Sequence, residues 1–254
     1  MPNHLSLTYL RRSLVNRLAD DCRCELCIGP LGESPLPFIC SSCHGTLPDK
    51  PSSCSHCGEP LSNPVRGKTH QRCIKCQQHP PAYDYTHYRF LYQHPVNLWI
   101  RAAKDKHQEH WLKRLSLLML ESPPSALGQV DALVYIPSHW RTRLKRGYNP
   151  AEILARRISK QTGINVLDHT LIKAKPREQR LLTAKERHSN LAQTLVAGKK
   201  RLNGEHLLII DDVMTTGATA SAAAHILKQR GASIVGIWAL ARTPPKGFIR
   251  HNAI

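Results

Sequence analysis

The strongest constraint on the fold is a single stretch, residues 207–219, with the sequence LLIIDDVMTTGAT. Its first four residues are apolar, and so short a run is typical of a strand buried on both faces of a parallel sheet. Two carboxylates, Asp211 and Asp212, come next, and a turn of small residues then leads into a helix-forming segment at 220–227. Ligands of open α/β sheets bind at the carboxyl ends of the strands, so this order predicts a ligand site.

The turn after the acidic pair is suited to a phosphate group. Small residues allow backbone N–H groups to close around an anion, and the start of the next helix adds positive potential. Thr215, Thr216 and Thr219 supply hydroxyl donors, while Asp211 and Asp212 are placed to accept hydrogen bonds from ribose hydroxyls. The alternative is an ordinary buried strand ending in a turn, but it leaves two costly carboxylates at the strand end unexplained.

The nine cysteines indicate bound metal. Eight of them form four Cys-x-x-Cys pairs within residues 22–79, a segment with few apolar residues that needs another source of stability. Taken in order, the pairs predict two structural zinc sites, one of Cys24, Cys27, Cys40 and Cys43 and one of Cys54, Cys57, Cys73 and Cys76.

Other ligand sets remain open for this segment. An interleaved arrangement of the four pairs would use the same eight cysteines. Cys22 is left over, either as a substitute for Cys24 or as a free thiol. His44, His56 and His70 are alternative ligands, although we expect them to be solvated loop residues.

Composition narrows the possible partners. The chain has 254 residues, enough for one sizeable domain and a smaller module, and its 36 Lys and Arg against 18 Asp and Glu give a net charge of +18. That charge keeps a protein soluble or attracts a polyanion such as a nucleic acid or a phosphorylated substrate. No apolar stretch approaches about 20 residues, so no membrane span is expected. The first residues lack the order of a secretory signal, and we expect a cytoplasmic protein with reduced thiols.

Strands alternate with helices along the rest of the chain. Apolar, β-branched and aromatic runs predict strands at 83–92, 132–136, 170–174, 207–212 and 233–241. Helical periodicity predicts helices at 96–104, 111–121, 151–162 and 220–227. This alternation predicts an α/β domain with a parallel sheet.

A basic loop is predicted where the strand at 132–136 ends. Residues 138–149 contain four cations: Arg141, Arg143, Lys145 and Arg146. Arginine offers paired donors to phosphate oxygens, so the loop suits a pyrophosphate at the same sheet edge as Asp211. Trp140 and Tyr148 in the loop can stack on a base. The alternative is a solvated loop in a chain that is cationic throughout.

These features resemble a known family. The acidic pair and turn are similar to the ribose-5-phosphate loop of type I phosphoribosyltransferases, which bind phosphoribosyl pyrophosphate (PRPP). Together with the four cysteine pairs and the tract from Pro137 through Arg141 to Arg146-Gly147-Tyr148-Asn149, they resemble the ComF/GntX family, bacterial proteins tied to competence and to the use of external DNA. A further family pattern is matched by Gln179, Leu182, Arg187 and Asn190. Tyr148 stands where the family has Phe, and Pro150 where it usually has Gln.

The resemblance covers residues 24 to about 242 and implies the fold. That fold is a type I phosphoribosyltransferase-like parallel sheet with helices on both faces, preceded by a Cys-rich double zinc ribbon. The implied domains are the double zinc ribbon at 22–80 and the phosphoribosyltransferase-like domain at 81–243. Outside them, leucines at helical spacing predict an N-terminal helix at 1–21, and residues 244–254 are expected to form a tail.

The resemblance also implies the roles of the site residues. Mg²⁺ would bind with PRPP or a nucleotide, and the catalytic pair Asp211 and Asp212 would hold the ribose hydroxyls and, through water, the metal. The 5′-phosphate would lie against Val213, Met214, Thr215, Thr216, Gly217, Ala218 and Thr219. The pyrophosphate would be neutralised by Arg141, Arg146 and Arg187, the last from a lid segment at 179–190. The alternative for this segment is a solvated charged helix.

Two functions follow from these features. The first is phosphoribosyl transfer from PRPP, or the reverse, with an acceptor that the sequence does not identify. The second is a non-catalytic factor that handles single-stranded DNA during uptake, with DNA-uptake or helicase proteins as partners and the nucleotide pocket as a sensor.

Overall fold

The computed structural model describes residues 23–62, 64–65, 71–105, 108–138, 140–173, 195–198, 201–245 and 247–248, except for the side chains of residues 140 and 141. Two compact units are formed, one ending at Pro48 and one beginning at Asp49. They divide the cysteine-rich segment, since the second cysteine cluster belongs to the same unit as the sheet. The expected helix at 1–21 and most of the tail at 244–254 lie outside the described residues. The domain boundaries given above stay predictions.

The second unit is built on a parallel sheet. Its described strands are β1 (Tyr85–Leu91), β2 (Ala132–Tyr135), β3 (Leu171–Lys173), β4 (Leu195–Ala197), β5 (His206–Met214) and β6 (Ile234–Arg242). Four of them form the sheet in the order β1-β6-β5-β2, with every neighbouring pair parallel. Strands β3 and β4 form a separate antiparallel pair. Because Ile210 is in register with Tyr135 and Trp238, the carboxyl ends of β2, β5 and β6 lie at one edge of the sheet.

Short and medium-length helices complete the described fold. They are α1 (Ser41–Gly45) in the first unit and, in the second, α2 (Ile74–Gln78), α3 (Val96–Ala102), α4 (His110–Leu120), α5 (Trp140–Arg146), α6 (Pro150–Thr162) and α7 (Ala218–Gln229). Within the part of the chain that the structure describes, no helix combines the length and the apolar character needed to cross a membrane.

Both faces of the sheet are covered. Side chains alternate between the two faces along a strand, and the run at 207–210 is fully buried. Leu207 and Ile209 join an apolar cluster with α7 and with the second cysteine cluster. The other face is covered by α6, which contacts β2 and β5, and by α4, which contacts β1 and β6. The fold is therefore the expected parallel sheet with helices on both faces.

The element boundaries match the predictions to within two residues at each end. Strand β5 is longer than predicted. It continues past the acidic pair, because it stays in register with β6 as far as Met214 and Arg242.

One prediction is wrong. The basic stretch after β2 was expected to be a loop, but residues 140–146 form helix α5. Its arginines, lysine and leucine are good helix formers, and no Gly or Pro interrupts them before Gly147.

Candidate functional site

The acidic pair lies at the carboxyl end of the central strand β5. Asp211 and Asp212 are both half-buried, and the backbone N–H of Asp212 donates to Oδ1 of Asp211 at 2.9 Å. Burial raises the pKa of Asp211, and the neighbouring charge of Asp212 raises it further, while Lys104 and Lys173 act in the opposite direction. Two carboxylates this close favour a cation, so the strand end is suited to a metal or to hydroxyl donors.

Lys104 already supplies one cation to this pair. Its Nζ lies 3.0 Å from Oδ2 of Asp212. The backbone around Lys104 is held from the α5 side, because Nε of Arg146 donates to the Lys104 carbonyl at 2.6 Å and the Tyr148 hydroxyl donates to the Ala103 carbonyl at 2.7 Å. Lys104 belongs to no recognisable motif, and only the folded chain brings it to the acidic pair.

The turn between β5 and α7 is shaped by Gly217. This residue is the N-cap of α7 and has a φ of 81°, in the left-handed region. A Cβ at this position would lie 2.7 Å from Cε of Met214 and 2.9 Å from Oη of Tyr83, so both conformation and space require glycine. Thr215 and Thr216 are exposed around it, and Thr216 Oγ1 accepts from the Ala218 N–H at 3.3 Å. The turn thus presents hydroxyl and backbone donors on one side, while its other side packs closely against Met214 and Tyr83.

A buried arginine supports the turn from below. Arg242, at the end of β6, is 2% exposed, and its Nη1 donates to the carbonyl of Met214 at 3.2 Å and to the carbonyl of Thr215. The Thr243 N–H also donates to the Met214 carbonyl, at 2.9 Å. A buried positive charge beside the turn adds to the attraction for an anion. Sequence analysis missed Arg242, although one arginine ending an apolar strand beside β5 was a usable signal.

Two four-cysteine clusters are present among the described residues. They consist of Cys24, Cys27, Cys40 and Cys43 and of Cys54, Cys57, Cys73 and Cys76, and the sulfurs of each cluster lie within 4.8 Å of one another. This is the sequential grouping and not the interleaved one. His44 and His56 are not among the ligands, and Cys22 and His70 lie outside the described residues.

The geometry of both clusters fits zinc. Four thiolates at 2.3 Å from a tetrahedral Zn²⁺ are about 3.8 Å apart. Sγ of Cys27 lies 3.9 Å from Sγ of Cys40, and Sγ of Cys57 lies 3.7 Å from Sγ of Cys73. Burial alone would raise the pKa of Cys54, but hydrogen bonds from backbone N–H groups outweigh it and bring the pKa to about 7. The clusters could therefore hold two structural zinc ions.

Known proteins match both parts of the chain. Residues 144–249 match the phosphoribosyl transferase domain, and a purine phosphoribosyltransferase from Pyrococcus horikoshii Ot3 aligns with a TM-score of 0.33 and 17% identity over 52% of this chain and 82% of that one. DNA utilization protein YhgH of Escherichia coli O157:H7 is 29% identical over 87% of this chain and 95% of its own length. Competence protein F of Haemophilus influenzae is 28% identical over 87% of this chain and 96% of its own length. Over most of its length the chain is thus similar to a DNA utilization protein and to a competence protein, and residues 144–249 are similar to a phosphoribosyl transferase domain.

The tract that carries the ComF/GntX resemblance has a structural role in the described part of the chain. Asn149 donates from Nδ2 to the Ile136 carbonyl at 2.9 Å and accepts from the Ser138 hydroxyl at 2.8 Å, which fixes the segment after β2. Arg146 and Tyr148 hold the end of α3, as described above. Arg141 lies on α5 without a described side chain, and Arg187, with the rest of the family pattern at 179–190, lies outside the described residues.

A cleft of about 200 Å³ opens at the carboxyl end of β2. It is lined by residues from the end of β2, from α5 and from β3, including Pro137, Arg143, His169, Ile172 and Lys173. Burial lowers the pKa of Lys173, and the charge of Asp211 partly offsets this effect. His169 has a φ of 55°, unusual for a residue other than glycine. The cleft has the volume of a single-ring compound and was not predicted.

Proposed function

We propose that this protein binds PRPP, or a nucleotide, together with Mg²⁺ at the carboxyl end of β5. The observation that supports the proposal is the direct succession of the acidic pair, the turn at Gly217 and the start of α7 along one strand end. A 5′-phosphate on the turn would receive hydrogen bonds from the first N–H groups of α7 and from the threonine hydroxyls. The ribose hydroxyls would then meet Asp211 and Asp212.

The residues around the acidic pair suit the rest of the ligand. Carboxylate oxygens are the ligands that Mg²⁺ prefers, directly or through water, and the ion would neutralise charge on the pyrophosphate. Binding of the ion at Asp212 would free Lys104, which then faces the pyrophosphate as a donor. Arg141 and Arg187 remain proposals for the same role, while Nε of Arg146 is engaged by the Lys104 carbonyl.

We further propose that the bound phosphoribosyl group is transferred. In that reaction the C1–oxygen bond to pyrophosphate breaks and a bond from C1 to the acceptor forms. Cations fixed beside the leaving group stabilise its developing charge without rearrangement. The cleft lined by Arg143 and Lys173 is the proposed acceptor site, because it opens at the same strand ends.

Calorimetry with PRPP and Mg²⁺ tests the binding step. Asp212→Asn should weaken PRPP by about tenfold or more, since an amide loses the charge and half of the acceptors for two ribose hydroxyls. Asp49→Asn is a matched control, because Asp49 also pairs with a cation, Arg89 at 2.7 Å, away from β5. Unchanged PRPP affinity in both Asp211→Asn and Asp212→Asn would remove the proposal.

Release of pyrophosphate from PRPP in the presence of candidate acceptors tests transfer.

A second candidate is a non-catalytic factor that handles single-stranded DNA, with DNA-uptake or helicase proteins as partners in the cytoplasm. It is favoured by the net charge of +18 and by the names of the relatives. Binding to a single strand should then weaken steeply with salt. Arg143→Ala together with Arg146→Ala separates the two candidates. Loss of strand affinity and of its salt slope supports the second, whereas loss of PRPP affinity alone supports the first.

A further inference from the structure

We propose that Tyr83 is a positioning residue that couples metal at the second cysteine cluster to the shape of the phosphate-binding turn. The first cysteine cluster has no such role in this proposal and serves as an internal reference. The inference rests on the proposed function for the identity of the ligand, but the coupling itself is a property of the fold. Its basis is a comparison of the two cysteine clusters with each other.

Each cluster begins with the same tight backbone turn. The N–H of Cys24 donates to the Gly29 carbonyl at 2.9 Å, and the N–H of Cys54 donates to the Glu59 carbonyl at 2.8 Å. A second hydrogen bond closes each turn. The N–H of Ile28 donates to the Cys24 carbonyl at 2.8 Å, and the N–H of Gly58 donates to the Cys54 carbonyl at 2.9 Å. Equivalent antiparallel bridges flank the turns, at residues 23 and 30 and at residues 53 and 60. The second metal-binding turn therefore repeats the first in backbone geometry.

The repeat makes one difference informative. The residue after the second cysteine is Ile28 in the first turn and Gly58 in the second. Both have positive φ, 62° and 69°, and Ile28 is 74% exposed. A Cβ on Gly58 would lie 3.1 Å from Cγ2 of Thr86 and from Cε1 of Tyr88, both on β1. Glycine at this position lets the second turn pack directly on β1.

A second difference joins the metal-binding turn to Tyr83. Between the two cysteines, the first turn has Leu26 and the second has His56. His56 is buried, and its Nε2 donates to the carbonyl of Tyr83 at 2.6 Å. A third contact lies alongside, where the hydroxyls of Ser53 and Tyr88 hydrogen-bond at 2.7 Å. The second cluster is thus fitted to the segment that leads into β1, and His56 holds that segment by its backbone.

The same segment supports the phosphate-binding turn. Tyr83 is 2% exposed, and its hydroxyl lies 2.9 Å from the place that a Cβ of Gly217 would occupy. The N–H of Ala82 donates to Oγ of Ser221, in the first turn of α7, at 3.0 Å. Residues 82 and 83 therefore touch the second cluster on one side and the turn and α7 on the other.

These contacts predict what loss of metal does. Structural zinc sites lose their fold when the metal leaves, because four thiolates no longer share one ion. His56 would then leave its position, and the buried carbonyl of Tyr83 would lose its donor, which is costly. The surface against which Gly217 packs would loosen, and the N–H groups of the turn would lose their alignment for phosphate.

Hydrogen exchange on the zinc-loaded full chain tests the coupling, with the metal content of each variant measured first. His56→Leu places the residue of the first turn into the second, so metal binding is retained while the donor is lost. We expect exchange at residues 214–221 to accelerate by about fivefold or more, with exchange in β2 unchanged. His56→Gln keeps a side-chain N–H donor and should restore exchange close to the parent rate. Unchanged exchange in His56→Leu would overturn the proposal.

A matched pair of ligand variants gives the second test. Cys57→Ser and Cys27→Ser remove the equivalent ligand from the second and the first cluster. Only Cys57→Ser should accelerate exchange at 214–221 and weaken PRPP, and equal acceleration in both would contradict the coupling. Exchange needs no bound ligand, so a parent protein that fails to bind PRPP would count against the proposed function while the exchange data still decide this inference.

Discussion

At the residue scale, the ion pair of Lys104 and Asp212 sets the charge of the site. A lysine 3.0 Å from one member of an acidic pair offsets the repulsion between the two carboxylates. The proposed ligand with Mg²⁺ would have to displace this ammonium group, so the ion pair would be the resting state of the site. The same lysine is held through its backbone by Arg146, which joins the family tract to the acidic pair.

Replacing this lysine tests the resting state. Lys104→Met should cost about 1 kcal/mol of folding free energy and lower Tm by about 2–4 °C. Mg²⁺ alone should recover more Tm in this variant than in the parent, because Asp212 is then open to the ion. Lys228→Met is the control, since Lys228 is as exposed as Lys104 (33% against 32%) and pairs with Asp84. Equal effects of Mg²⁺ on both variants would contradict this role.

Gly217 allows a second prediction at this scale. Gly217→Ala should abolish most PRPP affinity, because the methyl group meets Tyr83 and Met214 and displaces the turn. Gly204→Ala is a suitable control, as Gly204 also has positive φ, 89°, but open space around a built Cβ. Both substitutions should cost about 1 kcal/mol of stability through backbone strain, measured by urea unfolding. Calorimetry should show lost affinity in Gly217→Ala alone.

At the element scale, the site is the junction of three parallel strand ends with one helix. β5 brings the acidic pair, β6 brings Arg242 beneath the turn, and the end of β2 brings the cleft. Each contribution depends on the register of the parallel sheet, since a shift of one residue would turn the side chains to the other face. The helix α7 then starts from a turn whose carbonyls are already bonded to Arg242.

The buried arginine can be removed without changing the strands. Arg242→Met should leave the carbonyls of Met214 and Thr215 without their side-chain donor, at a cost of about 1–3 kcal/mol of stability. PRPP affinity should fall as well, because the turn loses its lower support and a positive charge. Arg230→Met removes a comparable bond, from Nη2 to the Gly198 carbonyl at 2.9 Å. It should lower stability but not affinity, and a parallel loss of affinity would argue against a specific role for Arg242.

Elements were largely predictable from the sequence, whereas tertiary contacts were not. Local patterns such as the run at 207–210 and the cysteine pairs identify strands, turns and ligands, because their signal lies within a few residues. Helix α5 was not predicted, because its four cations at the end of a strand are also typical of a basic loop, although Arg, Lys and Leu have high helix propensity. Lys104 and Tyr83 acquire their roles only through contacts with segments distant in sequence, so nothing in their own surroundings marks them. Arg242 is marked only by its place at the end of an apolar strand.

At the scale of the whole molecule, the two cysteine clusters belong to different compact units. The four closely spaced pairs predict a double zinc ribbon, and the two clusters of four cysteines are compatible with it. The second cluster in addition shares an apolar cluster with the sheet and α7. Similar metal-binding turns can therefore serve different neighbours, and the residues between and after the cysteines show which neighbour each one has.

The two cysteine clusters predict the zinc content of the protein. Elemental analysis of the reduced protein should find two zinc ions per chain, and Cys40→Ser should leave one, because each cluster needs all four ligands. Cys22→Ser should leave both ions in place, since eight other cysteines complete the two sites. A loss of zinc in Cys22→Ser would show that this residue replaces a ligand of the first cluster.

The strand order has a consequence for synthesis. Among the described strands, β1 lies at an edge of the sheet, and its partner is β6, the last of them in the sequence. While the ribosome is still translating the segment before β6, β1 has emerged without its pairing partner. The cysteines of the first unit are available to metal at that time, because they all precede β1. We infer that the first unit can bind zinc during translation, whereas β1 can pair within the sheet only after β6 has emerged from the ribosome.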